Sequence, residues 1–419
     1  MIPVDLSDGD HFDAVIVGGG QAGLALSWHL VQRGIRHVVI ERDTVAHEWR
    51  DGRWDNFTLV TPNWHCALPG YAYDGPEPDG FMTRDEVYAW ARRYADTFPA
   101  PVAEHTSVSL VEQRPGGGFL VHTSAGMITA ETVTSATGGY HLPVTPAWSD
   151  DIPEHVFQLH SHEYRNASQL PGGPVLVVGS GQSGTQIAED LLLEGRDVHL
   201  ALGRAPRVAR FYRGRDCMTW LADMGVYDVP VSTRGLAKRE STNHYVTGRD
   251  GGRDIDLREF ALRGMALYGR AIGMMGGDFL FDDTLADNLD YADSVAESIK
   301  NDIDRYIERE RIDAPHEDRY EAVWRPEDVP SRLPARDVSS VVWSIGFRAD
   351  WSWLGSLDVL DHERHPAHSR GATNVPGFQF IGLPWMHTWG SGRFHAIARD
   401  AEHVAGLVAE GAERRIPVA

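Results

Sequence analysis

Two stretches of this chain repeat one order of residues, and that order limits the fold more than any other feature of the sequence. The first is Ala14-Val15-Ile16-Val17, an apolar β-branched run, followed by Gly18-Gly19-Gly20-Gln21-Ala22-Gly23 and an Ala/Leu-rich segment. The second is Val175-Leu176-Val177-Val178, followed by Gly179-Ser180-Gly181-Gln182-Ser183-Gly184 and Thr185-Gln186-Ile187-Ala188. Each reads as a buried strand, a tight turn and a helix. In a G-x-G-x-x-G turn the first glycine permits the bend, the second lets the backbone approach a pyrophosphate, and the third lets the helix pack closely on the strand. The N–H groups and dipole of the helix's first turn then face the phosphates. One such motif is a weak signal, but two in strand and helix context predict two dinucleotides held by one α/β chain with two Rossmann-like domains.

The residues after each turn tell the two sites apart. Val38-Val39-Ile40 ends in Glu41, about 20 residues past the first turn, where a carboxylate accepts from free ribose hydroxyls, and Arg42 comes next. The corresponding second strand, 197–202, lacks a terminal acid and runs into Gly203-Arg204-Ala205-Pro206-Arg207. An arginine there pairs with a 2′-phosphate that a carboxylate would repel. The second site therefore reads as NADPH, and the first as a dinucleotide with an unphosphorylated ribose, for which FAD fits best. Buried runs that break at small residues, Ala136-Thr137-Gly138 and later Ser344-Ile345-Gly346, suit chain crossovers beside a cofactor. A strand at 378–383 and a closing helix over 391–411 complete the pattern, and the N-terminus of that helix is expected to face the flavin pyrimidine.

These placements predict a discontinuous FAD domain, residues 1–165 and 338–419, with the NADPH domain, 166–337, inserted between the two parts. The insert carries an extra segment, 210–315, in which Leu285, Leu289, Val295, Ile299 and Ile303 keep to one helical face. Covering a sheet, closing the active site and making a homodimer contact are the uses open to it.

Bulk properties narrow the class. A chain of 419 residues holds two ordinary domains. Its apolar runs are too short for a bilayer and its start is not signal-like, so no membrane and a cytoplasmic location are expected. The net charge of -21 opposes nucleic acid. Cys66 and Cys217 form neither a disulfide framework nor a C-x-x-C redox pair. His362, His365 and His368 are spaced in threes, but Pro366 breaks any helix that would align them, so a solvated loop is expected and no metal.

With these features in place, the sequence resembles the class B flavin-dependent monooxygenases with two dinucleotide folds. The resemblance covers nearly the whole chain. It rests on the two glycine motifs, on Ala136-Thr137-Gly138, and on Trp49-Arg50-Asp51-Gly52-Arg53-Trp54-Asp55 leading to Leu59-Val60-Thr61-Pro62. It also rests on Leu159-His160-Ser161-His162-Glu163-Tyr164, although Glu154 and Val156 stand where the family's F-x-G-x-x-x-H pattern has Phe and Gly. The stretch 383–391, with Met386, His387 and Gly390, resembles a bacterial branch of these flavoproteins.

The resemblance implies that NADPH reduces FAD, that the reduced flavin takes up O₂ at C4a, and that the resulting (hydro)peroxide oxygenates a small organic substrate. Tyr164, in the position that Trp holds in Baeyer–Villiger members, leans toward nitrogen or sulfur. It also implies Trp49, Arg50, Trp54, Thr61, Ala136, Thr137 and Gly138 beside the cofactor, and Asn63 as the catalytic candidate touching the peroxyflavin. Asn63 has an alternative use, capping the turn after Pro62. Of Trp49, Trp54, Trp64, Trp385 and Trp389, two are expected to wall the cofactor and three to fill core. The rivals are a disulfide reductase, which lacks its cysteine pair here, an NADPH oxidase or diaphorase, and a flavin-binding redox sensor.

Overall fold

The computed structural model describes residues 1–234 and 243–413, so 235–242 of the insert and 414–419 of the last expected domain segment lie outside the described residues. Two sheets carry the architecture. The larger has eight strands. At its centre His11–Val17 lies parallel to His37–Ile40 on one side and to Gly126–Ser135 on the other. Phe378–Phe380, from the far end of the chain, adds in parallel to Gly126–Ser135. The chain thus returns to the first sheet. The central strand is buried from Ala14 to Val17, which accounts for its continuous β-branched run.

The second sheet has five parallel strands in the order Phe157–His160, Ser340–Trp343, Val175–Val178, Val198–Ala201, Ala266–Tyr268. Strand 340–343 lies between 157–160 and 175–178, so the second sheet takes a strand from beyond each end of the expected 166–337 segment. The fully buried strand 340–343 needs a neighbour on each edge, and 157–160 supplies one of them.

The helix after each glycine turn packs as the third glycine predicts. A Cβ built on Gly23 collides with the Gly18 carbonyl oxygen, and one on Gly184 with the Gly179 carbonyl oxygen. At Gly20 the same Cβ meets nothing within 4 Å. The closing helix starts at Phe394, three residues later than expected, and runs to Glu413 against Gln21–Gln32.

Helix Leu285–Glu310 buries Leu285, Leu289, Ile299 and Ile303 on the predicted face. Its Ile299, Ile303 and Ile307 join Tyr212, Trp220 and Tyr227 of the insert, and Trp385 and Trp389 of the final segment, in a separate apolar cluster. The insert therefore packs on the segment that closes the first domain as well as on its own sheet.

A polar joint fixes one domain on the other. Tyr164, fully buried, donates to one Asp190 oxygen (2.8 Å), while Asn56 Nδ2 (2.9 Å) and Arg249 (2.7 Å) reach the other. His160 Nδ1 accepts from the His162 N–H (3.2 Å), so the ring hydrogen sits on Nε2 and is donated to the Gly346 carbonyl (3.1 Å). The His160 bond thus ties the two crossover segments together, and of the three Asp190 partners Asn56 is the one from the first domain. Tyr164 is spent on Asp190 and does not reach toward a substrate.

Gly23→Ala and Gly184→Ala are expected to cost about 1–3 kcal/mol or more in urea unfolding, because overpacking forces helix from strand. Gly20→Ala, a change of the same size at an open position, is expected to cost less than about 1 kcal/mol, the difference between glycine and alanine at a helix N-cap.

Candidate functional site

The turn at Gly18–Gly20 opens a helix, Gln21–Gln32, whose first turn has no side-chain cap and no acidic residue. Helix starts carry unpaired N–H groups and a positive dipole end, so an uncapped start with open space at Gly20 can take an anion. Glu41 stands over this turn from the end of the adjoining strand. One of its oxygens accepts from Gly19 N (2.7 Å) and the other from Asp43 N (2.9 Å), which fixes the carboxylate beside the turn. Arg42 pairs with Asp43 (3.2 Å) and Glu48 (3.3 Å) at the surface alongside.

Three distant segments converge on the same turn. Trp49 Nε1 donates to Gln21 Oε1 (3.2 Å), and Gln21 Nε2 donates to the Gly392 carbonyl (3.1 Å). Phe394, the first residue of the closing helix, stacks on Trp49 at 5.2 Å. On the other side, Ala136 backs Gly18 so closely that a Cβ there would strike its carbonyl, and Gly138 takes the left-handed conformation at φ 71°. Trp49, Ala136, Thr137 and Gly138 are thereby placed around the first turn as expected.

Other expected residues stand elsewhere. Arg50 lies over the Tyr88 ring (4.7 Å) and pairs with Asp51 (2.7 Å), on the outer side of its short helix. The arginine against Trp49 is Arg53, 5.3 Å from the ring. Trp54 is buried and lines a small void at the domain joint with Thr58, Gln186 and Arg249, so it serves the joint. Thr61 is half-buried on the strip leading to Asn63.

Asn63 is buried, with its oxygen accepting from Met82 N (2.7 Å) and its nitrogen donating to the Glu77 carbonyl (2.9 Å). It fastens the 77–82 loop, the turn-holding use of an asparagine after proline, and the peroxyflavin contact gains no support from its bonds. Met386 is buried in the first core, while the His387 N–H donates to Ser391 Oγ (3.0 Å). The Gly390 N–H donates to the Tyr227 carbonyl (3.0 Å), tying the final segment to the insert.

The second helix start, at Gln182–Leu193, is likewise uncapped and free of acid in its first turn. Ser180 Oγ donates to the Gly203 carbonyl (3.0 Å) and Gln182 Nε2 to the Val246 carbonyl (2.6 Å). Gly181 and Ser183 are half-buried between them. Three arginines come after the neighbouring strand, and the structure separates them. Arg207 is buried against Asp293 (2.7 Å), and Arg210 against Asp216 (2.5 Å). Arg204 is exposed, lies 4.2 Å over the Tyr291 ring, and has no carboxylate partner among the described residues. It alone of the three is free to meet a phosphate.

Among the described residues no group of three or more His, Cys, Asp or Glu could hold a metal ion, and no helix is long and apolar enough to cross a membrane. Both cysteines are buried and free, and burial pushes the Cys66 thiol up to about 12. A thiol so protonated is a poor redox nucleophile at neutral pH. Sequence reading missed Arg53, His65, Tyr227, Arg393 and His395, which the fold brings near the first turn and the closing helix. Nothing in spacing marks them, since they come from four separate segments.

Residues 15–219 match the model of the pyridine nucleotide-disulphide oxidoreductase family. Over 394 residues the chain is 29% identical to a CzcO-like oxidoreductase of Geobacillus kaustophilus, covering 94% of this chain and 97% of that one. It is 33% identical over 189 residues to the indole-3-pyruvate monooxygenase YUCCA1 of rice, covering 43% of this chain and 45% of that one. A flavin-containing monooxygenase from Stenotrophomonas maltophilia has the same fold, with a TM-score of 0.68 at 19% identity, covering 96% of this chain and 99% of that one. With two nucleotide-type turns on two sheets and a late strand that returns to the first sheet, the chain shares the fold of these flavin monooxygenases.

Proposed function

We propose that this chain is an NADPH- and O₂-dependent FAD monooxygenase that oxygenates a small organic molecule at nitrogen or sulfur. The observation that carries the reading is the contrast between two uncapped helix starts, one overlooked by the Glu41 carboxylate and the other by Arg204, which has no carboxylate partner among the described residues. Gly18, Gly20, Gln21, Ala22, Gly23 and Glu41 would hold FAD, with Trp49 and Arg53 beside it. Gly179 to Gly184 and Arg204 would hold NADPH. The flavin, when bound, supplies the redox chemistry, in which two electrons from NADPH reduce O₂ so that one oxygen atom enters the substrate and the other leaves as water.

The protein's part is positioning and exclusion of water. Asn56 on Asp190 ties the first domain to the second, His160 ties the two crossovers, and Asn63 holds the 77–82 loop. The insert's apolar cluster, packed on Trp385 and Trp389, shields the closing helix. The lean toward nitrogen or sulfur rests on Tyr164 standing where the Baeyer–Villiger pattern has tryptophan. Because that tyrosine is bonded to Asp190, its influence passes through the joint. A disulfide reductase is disfavoured by two buried, protonated, unpaired thiols.

Turnover with ¹⁸O₂ and a panel of organic sulfides, tertiary amines and ketones tests the reaction. Sulfoxide or N-oxide carrying one ¹⁸O is expected; hydrogen peroxide matching all NADPH consumed, whatever the probe, would establish the oxidase or diaphorase reading instead. The nucleotide assignment has its own test. Arg204→Ala is expected to lower the preference for NADPH over NADH by about 10- to 100-fold, the worth of one charge-assisted contact, with the reduction rate at saturation unchanged. Arg207 and Arg210 are committed to aspartates and will not soften the loss. Equal losses for both nucleotides would make Arg204 a structural residue.

A further inference from the structure

Arg204 is not alone in having no carboxylate partner among the described residues, and a second such arginine stands beside two buried histidine rings. Arg393, half-buried just before the closing helix, donates to the Trp389 carbonyl and to Asn243 Oδ1 (3.0 Å), lies 4.8 Å over the Trp389 ring, and has no carboxylate partner among the described residues. Two residues on, the Nε2 of His395 is buried without a hydrogen-bond partner. The His65 ring stands 4.9 Å from it, centroid to centroid, is 2% exposed, and has neither nitrogen bonded. Tyr227 packs on both rings, at 4.8 Å from His395 and 5.3 Å from His65.

The electrostatics of the cluster run against the rest of the chain. Burial first, then the neighbouring His395 ring and the Arg393 and Arg210 cations, hold the His65 imidazole down to about 3. His395 is held down to about 4 by burial, Arg393 and Arg399; the one acid acting on it, Asp228, is paired to Arg399 (2.6 Å). Both rings are therefore neutral at working pH, each with one N–H and one lone pair to offer. Three unpartnered ring nitrogens beside a guanidinium without a carboxylate cost free energy that a ligand with hydrogen-bonding oxygens and negative charge would offset. The phosphates of both cofactors already have their own helix starts, so this place is left for another anion. One guanidinium with two neutral imidazoles matches a monoanion; a dianion would call for a second free cation.

We propose that Arg393, His395 and His65 anchor the substrate, and that the substrate is an organic carboxylate whose charged end meets the Arg393 guanidinium while its oxygens accept from the imidazole N–H groups. Naming this ligand the substrate rests on the monooxygenase reading, but the anion site itself does not. Calorimetric titration of the oxidised, FAD-loaded protein, without NADPH, measures binding of phenylacetate, phenylacetamide and 2-phenylethylamine, with hexanoate and benzoate as further carboxylates.

At least one carboxylate is expected to bind about tenfold or more tighter than the amide and the amine, as a charged hydrogen bond implies. Arg393→Gln and His65→Phe are each expected to weaken that carboxylate by about tenfold, with Arg393→Lys recovering most of the loss. Retained FAD content checks that each variant folds. No carboxylate preference, or binding indifferent to all three variants, overturns the proposal. So does a shifted flavin midpoint potential in Arg393→Gln with carboxylate binding intact, since the cation would then serve the reduced flavin. Because no step here needs O₂ or NADPH, failure to oxygenate any probe would leave this result standing, and the reverse holds as well.

Discussion

The contact between the third glycine of each turn and the carbonyl of the first is the constraint on which the rest of the molecule depends. With Gly23 against Gly18 and Gly184 against Gly179, each helix lies so close to its strand that no side chain fits between. That closeness aims the uncapped first turn of each helix at the space above the strand ends. A residue larger than glycine at either place would lift the helix away and point its N–H groups elsewhere. The anion-binding property and the packing are therefore one feature, present twice.

Two similar turns have different neighbours, and the proposed FAD and NADPH sites differ for that reason. Glu41 is fixed by two backbone N–H groups and presents an acceptor, whereas Arg204 is supported by the Tyr291 ring and presents a donor. The chain separates these environments by feeding each from a different sheet and then locks the sheets together. The lock is polar, built on the Asn56 bond to Asp190, an acid also held by Tyr164 and Arg249, and on the His160 bond to Gly346. Buried hydrogen-bond networks of this kind specify one arrangement because each member left unpaired is costly. Between the locked domains, the closing helix brings Arg393 and His395 to His65, so the third anion site depends on the same geometry.

Much of this is legible in the residues. Strand, turn and helix at Gly18 and Gly179 come from local periodicity and glycine spacing, and the return of the chain to the first sheet comes from the late strand and helix. The strip Trp49 to Thr61 is harder. Its motif marks a position near the cofactor but not which side chain turns inward, and the short helix at His47–Arg50 sends Arg50 outward to Tyr88 and leaves Arg53 against Trp49. Asn63 and Tyr164 are visible as polar residues in meaningful places, yet their partners, Met82 and Asp190, are set by tertiary approach that no local pattern encodes. The His65–His395 pair is an extreme case, because its two members lie near opposite ends of the chain.

The central claim is that one chain holds FAD and NADPH at once, on separate turns, with electrons passing between them. Anaerobic titration of the FAD-loaded protein with NADPH tests it most directly. The account predicts that one equivalent of NADPH per bound flavin bleaches the flavin completely and that FAD and the oxidised nucleotide then remain on the chain together, one of each. Release of FAD as the nucleotide binds, or a flavin that only an external reductant bleaches, would contradict it.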